Sequence, residues 1–319
     1  MFVHSRKLRF VERAPRNEGW RALHRAAESK VPAAEQAFRA ALEATRRATS
    51  IAAIRAALER GADEIAVSAI NWTKLERALE DKLLPILTGV AQRGGTVAAR
   101  ELSEQLGERF PVKKAGGELG YAFDLVNPEV VAELSRHGVT LVTRITNETR
   151  MAIKEVVMAA QQRGLSVRDQ AERIARILRQ SVGLNAPQAR ALANYEALLR
   201  EQERTEADIR GLLARRRDQF IDQRARVIAR NETLWASNAG QHDVWRQAQE
   251  GGLLATDQKR KWLTQGAVNP SNPCPICKPM NGQIRGMTED FVSPYNGVTV
   301  RHPPAHISCV CVATLIFDD

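Results

Sequence analysis

Cys274-Pro275-Ile276-Cys277 and, further on, His302-Pro303-Pro304-Ala305-His306-Ile307-Ser308-Cys309-Val310-Cys311 together hold every cysteine of the 319-residue chain. The first run is a C-x-x-C pair, the spacing at which one tight turn can present two thiolates to one ion. If Cys309 to Cys311 open a strand, positions two apart face the same side and can share that ion. His306 precedes them closely enough to add a nitrogen from the preceding turn. Five candidate ligands result: Cys274, Cys277, His306, Cys309 and Cys311. Thiolates in this number favour zinc over calcium or magnesium, which take oxygen. Four protein ligands close a zinc tetrahedron, leaving no open position, so the expected role is structural.

Other readings of the same residues are weaker. A redox C-x-x-C opens a helix after a strand, whereas Pro273 and Pro275 flank Cys274 here without a βαβ pattern. An iron–sulfur cluster could use the four thiols and ranks below zinc. Unrelated buried thiols would be spread along the chain, and these are clustered. His302 reads as a loop residue beside two prolines rather than a ligand. His4, His24, His137 and His242 read as ordinary surface or core histidines.

Working outward, this stretch carries few large apolar residues and needs a staple to fold. The chain upstream is different. Ala, Arg, Glu, Leu and Gln dominate its first 250 positions, aromatics make up 5% of the whole and hydrophobic residues 44%, the composition of long exposed helices. The expected fold is mainly α: extended helical N-terminal and central regions followed by a small α+β zinc-stapled C-terminal knuckle. Length alone suggests about two domains of roughly 150 residues. Composition divides the chain into a helical N-terminal arm (1–115), a helical central domain (116–252) and a zinc-knuckle α+β module (253–319), with the Gly/Lys-rich loop 113–120 as the first boundary.

Ala37, Phe38, Ala41, Leu42, Ile51, Ile54 and Leu58 have helical spacing, and Gly61 supplies a C-cap. Thr73 with Glu76 forms a capping box for a helix through Leu83 to Val90, irregular at Pro85 and broken by Gly94-Gly95. Asn127-Pro128 starts a helix to about Gln162, closed by Gly164. Ser166 with Asp169 caps the next, which carries Ala171, Ile174, Ile177 and Leu178 on one face. After Gly183, Asn185 and Pro187 start a helix expected to reach Arg215-Arg216-Arg217. Another is expected from about Asp218 to Gln249, ended by Gly251-Gly252. Beyond it, residues 261–264, 298–300 and 311–317 read as short strands.

A formal net charge of +10 and a pI near 9.8 point to a polyanionic partner, either nucleic acid or an acidic protein surface. Arg215, Arg216, Arg217, Arg224, Arg226 and Arg230 are the candidate contacts to double-stranded DNA. Positions 224, 226 and 230 do not share one narrow helical face, and Asp218, Asp222 and Glu232 dilute the charge. A solvated helix is therefore the stronger reading. No apolar run reaches the roughly 20 residues that span a membrane. The N-terminus MFVHSRKLRFVERAPR lacks an apolar signal core. The expectation is a protein made and kept in a reducing cytoplasm, without a membrane partner. Nothing supplies a nucleophile with its base, a phosphate-cradling glycine loop or paired catalytic carboxylates, so no enzyme is expected.

The C-terminal pattern also resembles a family. It comprises Arg226-Val-Ile-Ala-Arg230-Asn-Glu232-Thr233, Asn238-Ala-Gly240, Trp262, the C-x-x-C pair with Asn281-Gly282, Phe291, and Pro303-Pro304-x-His306-x-x-Cys309-x-Cys311. This is similar to the head-morphogenesis domain of bacteriophage minor head proteins of the Mu protein F type. Phe123-Asp-Leu-Val-Asn127-Pro128 and its helix resemble the region ahead of that domain. The resemblance covers roughly residue 121 to the end. It implies a minor structural component of the phage head, present in few copies at the portal vertex, with portal protein and major capsid protein as partners and a role in procapsid assembly or DNA delivery. It carries the metal role to the same five residues. Arg230, Glu232, Thr233 and Asn238 match the family's helix with no chemistry attached. The chain departs from the family in residues 269–273, Asn-Pro-Ser-Asn-Pro in place of a usual acidic residue, and in Val310 in place of a basic one. The competing function from another class is a zinc-stapled nuclease, with His302 or His306 as base and Asn296 nearby.

Overall fold

The computed structural model describes residues 18–60, 70–107, 123–125, 127–162, 171–264 and 274–316. Among these the helices are α1 (Glu18–Glu28), α2 (Val31–Ala48), α3 (Ile51–Glu59), α4 (Trp72–Leu106), α5 (Pro128–Gln162), α6 (Ala171–Ser181), α7 (Ala186–Glu201) and α8 (Glu206–Glu250). The strands are β1 (Lys259–Leu263), β2 (Ile284–Gly286), β3 (Phe291–Val292), β4 (Thr299–Val300) and β5 (Val312–Ile316). The chain is thus mainly α and ends in a small sheet-bearing region, as its composition predicts. The expectations for Gly61, the 113–120 loop, Gly164, Ser166 with Asp169, and 269–273 fall outside the described residues.

The caps explain several boundaries. Asn127 Oδ1 accepts the amides of Glu129 and Val130, and Asn185 forms a capping box with Gln188. Four expectations are corrected. Asn71, not Thr73, caps α4, accepting the Lys74 amide at 2.9 Å. Ser50 caps a separate α3, so the Ala-rich segment is two helices. The break before the last helix lies at 202–205, where Glu203 has φ 54 and Thr205 accepts the Asp208 amide. From there α8 runs unbroken through Arg215-Arg216-Arg217.

The fourth correction concerns Gly94-Gly95, which lie inside α4. A Cβ at Gly94 would fall 2.0 Å from the Ser237 carbonyl oxygen, and one at Gly240 would fall 1.8 Å from that of Ala91. These glycines serve a close crossing of α4 and α8 rather than a chain break.

The chain forms two compact units, one of Met1–Val31, Leu87–Ala132 and Arg230–Asp319, the other of Pro32–Ile86 and Glu133–Ala229. The second is helical. Phe38, Leu42, Ile54 and Leu58 are fully buried there, and α3 packs on α6. Gly183, at φ +88, lies against Leu42.

The first unit holds the sheets. β2-β1-β5 is antiparallel, with Arg260 opposite both Arg285 and Leu315, and β3 pairs β4. Its core joins Ala98, Leu102, Phe123, Val244 and Trp245 to Met287, Ala313 and Leu315. β1 alternates outward and inward, which turns Arg260 and Trp262 to the interior. The buried Arg260 guanidinium donates to the carbonyls of Gly286 (3.1 Å), Glu289 (2.5 Å) and Arg301, and lies over the Phe291 ring. Burial lowers its pKa to about 10.

Candidate metal centre

Two turns bring the Cys/His residues together. The Lys278 amide donates to the Cys274 carbonyl (2.8 Å), and a short 3-10 helix (Lys278–Met280) follows. Ser293 Oγ donates to the Ile276 carbonyl, tying this turn to the end of β3. On the other side the Cys309 amide donates to the His306 carbonyl, with Ser308 at φ 64 between them.

His306 Nε2 lies 3.0 Å from both Cys274 Sγ and Cys277 Sγ, and Cys277 Sγ lies 3.6 Å from Cys309 Sγ. The donors form two trios, Cys274–Cys277–His306 and Cys277–Cys309–Cys311, each with its ligand atoms within 4.8 Å of one another. Cys277 belongs to both. Zinc–sulfur bonds of about 2.3 Å imply S···S edges of about 3.8 Å in a tetrahedron. The observed sulfur pair is close to that edge, and the S···N pairs, at 3.0 Å, are about 0.5 Å shorter than the corresponding edge of about 3.5 Å. The donor set therefore fits a thiolate-preferring ion.

His306 Nδ1 donates to the Ile307 carbonyl at 2.8 Å, which leaves the Nε2 lone pair facing the thiols. Hydrogen bonds with the Cys277 and Cys311 sulfurs, joined by the Cys311 and Ala305 backbones, hold Cys309 below the ordinary thiol range. Cys277, hydrogen-bonded to Cys309 and Cys311 and buried, is pushed upward.

Around the sulfurs lies an apolar wall of Trp262, Met280, Phe291 and Ala305. The Trp262 and Phe291 rings meet at 5.2 Å. Asn281 Oδ1 accepts the Thr264 amide, and Gly282, at φ +80, donates its amide to the Trp262 carbonyl. His24 in α1 donates from Nε2 to the Val310 carbonyl, between Cys309 and Cys311. Sequence reading treated His24 as ordinary and missed Arg260 altogether. The alternation of Lys259-Arg260-Lys261-Trp262 was a usable signal for Arg260, whereas nothing local marks His24.

His302 is in the loop beside its prolines, as expected, but it is buried and outside both trios. Its Nδ1 donates to the Pro303 carbonyl, and its ring lies 5.1 Å from Trp235 and 6.0 Å from His242. His242, also buried, donates to the Met287 carbonyl.

The candidate DNA-contacting arginines are not equivalent. Arg217 is buried and donates to the Gln180 carbonyl and to Asp218. Arg224 is buried and paired with Glu148 at 2.6 Å. Arg215 and Arg216 are exposed, Arg216 over the Phe220 ring. Arg226 and Arg230 are exposed and pair loosely with Glu35 (3.7 Å) and Glu28 (3.5 Å). Glu232, Thr233 and Asn238 are buried.

No helix among the described residues is long and apolar enough to cross a membrane. Neither the curated proteins nor the solved structures give a match. A family model described as Phage Mu protein F like protein does match, over residues 151–314. Those residues are just over half of the chain and include all five Cys/His candidates. The chain therefore belongs to the Phage Mu protein F like family of phage head-morphogenesis proteins.

Proposed function

We propose that this protein is a minor structural component of the phage head that binds portal and major capsid subunits during procapsid assembly and remains in the virion near the portal vertex. The observation that carries this reading is the family match over the whole Cys/His region. The site supports a binding role over catalysis: His306 faces two thiols, and His302 is enclosed by Trp235 and His242. A nuclease would need one of them as a base. Asn296, the remaining candidate for such a site, accepts the Val298 amide in an exposed turn.

The ion is zinc, held by four of the five donors Cys274, Cys277, His306, Cys309 and Cys311. Cys277 is common to both trios of donors and is therefore the ligand shared by either choice of four. Four protein ligands close the zinc shell, so the metal clamps the two turns together. Any contact with double-stranded DNA is non-specific and runs through exposed arginines such as Arg215 and Arg216. Arg217 and Arg224 are committed to partners inside the chain.

Co-expression with the portal protein of the same phage, followed by affinity purification and zinc analysis, tests this reading. Stable co-elution with stoichiometric zinc is expected. Zinc without portal would move the docking site to the capsid shell, and neither zinc nor portal would overturn the reading. Cys277→Ser, which removes the thiol common to both trios, should lose zinc.

A further inference from the structure

Trp262 forms part of the apolar wall around the sulfurs. Its side chain is fully buried, and its indole Nε1–H has no hydrogen-bond partner. Indole nitrogen is a donor only, and a buried donor without a partner costs about 1–3 kcal/mol. The ring belongs to a cluster with Cys277, Met280, Phe291, Ala305, Cys309 and Cys311, flanked by Cys274, Val298 and Val300. Among these apolar residues the sulfur atoms are the only side-chain acceptors, and none of them meets the indole N–H in this structure. A thiol sulfur accepts weakly, whereas a metal-bound thiolate is a much better acceptor because it carries negative charge.

We propose that Trp262 is a positioning residue of the metal centre, whose indole N–H donates to a metal-bound thiolate of Cys277 or Cys309. This inference rests on the metal-binding reading above. Two features hold the ring in the cluster that contains the thiols. The Trp262 backbone is clamped on both sides, its amide donating to the Gln283 carbonyl (2.9 Å) and its carbonyl accepting from Gly282 (2.9 Å). The ring itself is braced edge-on by Phe291. Gly282 and Gln283 follow the short helix after the Cys274–Cys277 turn, so the donor and that ligand turn are held by one framework. Partners of this kind orient ligands and typically change metal affinity by about 10–100-fold.

The test loads the full-length protein, with its tryptophans labelled with nitrogen-15, with cadmium-113. The Trp262 indole proton should move downfield and show scalar coupling to the cadmium, transmitted through the N–H···S–Cd path. Trp262→Phe keeps the ring and removes the donor. It should bind metal about 10–100-fold more weakly in chelator competition and shift the thiolate-to-cobalt charge-transfer band of the cobalt-substituted protein. Bound cadmium without coupling to the Trp262 proton would overturn the assignment, as would a Trp262→Phe variant with wild-type affinity and an unchanged cobalt band. Failure to bind cadmium at all would remove the metal-binding reading, and this inference with it.

Discussion

His24 on the first described helix donates its Nε2 proton to the carbonyl of Val310, 286 residues away in sequence and between two cysteines. The contact ties α1 to the thiol-bearing turn. Its neighbour Ser237 reinforces the arrangement by donating to the Leu23 carbonyl. Replacing His24 with Ala leaves the Val310 carbonyl without its partner and should cost about 1–3 kcal/mol. Hydrogen exchange should then accelerate both in 18–28 and in 306–311. Acceleration in α1 alone would show that the bond does not couple the two.

Glu101 gives a pH dependence of defined sign. Its carboxyl lies against α1, where a Cβ on Gly19 would fall 1.9 Å from Oε1, and burial raises its pKa to about 7. The folded state therefore holds the proton more tightly than the unfolded state, whose group titrates near its ordinary value of 4.5. Stability from this group is present at acid pH, declines as pH rises from that value and is lost above about 7. Glu101→Gln should match wild type near pH 4, and its relative melting temperature should climb through this window and level off above it. A difference that does not vary with pH would refute the assignment.

Two glycines of the same helix should respond oppositely to alanine. Gly240→Ala meets the Ala91 backbone carbonyl at 1.8 Å and should lower the melting temperature sharply. Gly211→Ala meets nothing within 4 Å and should stabilise by about 0.5–1 kcal/mol through helix propensity. Thermal unfolding of the pair checks both the crossing and the continuity of α8.

Arg260 should behave as a core residue despite its charge. Arg260→Met removes donors from three backbone carbonyls, those of Gly286, Glu289 and Arg301. A loss of about 3 kcal/mol or more is expected, together with easier removal of metal by chelators. Unchanged stability would mean that water replaces the guanidinium.

What was legible in the sequence was local. The cysteine spacing marks the site because ligands held by single turns must be near in sequence, and Asn127 and Asn185 mark helix starts because a cap acts within one turn. What misled was tertiary. Gly94-Gly95 reads as a break until α8 is seen to need the space. Arg217 and Arg224 read as surface charge until they are seen buried against the Gln180 carbonyl and Glu148, which come from distant helices. The break at 202–205 had a local signal, Thr205 ahead of Asp208, which the neighbouring run of arginines obscured.

The central claim is that the chain is a structural part of the phage head. Its most direct test is quantitative mass spectrometry of gradient-purified heads, with zinc measured on the same fractions. The account predicts the intact protein in the particles at low copy number relative to the major capsid protein, with zinc in proportion to it. Purified, complete particles that lack the protein would contradict the account.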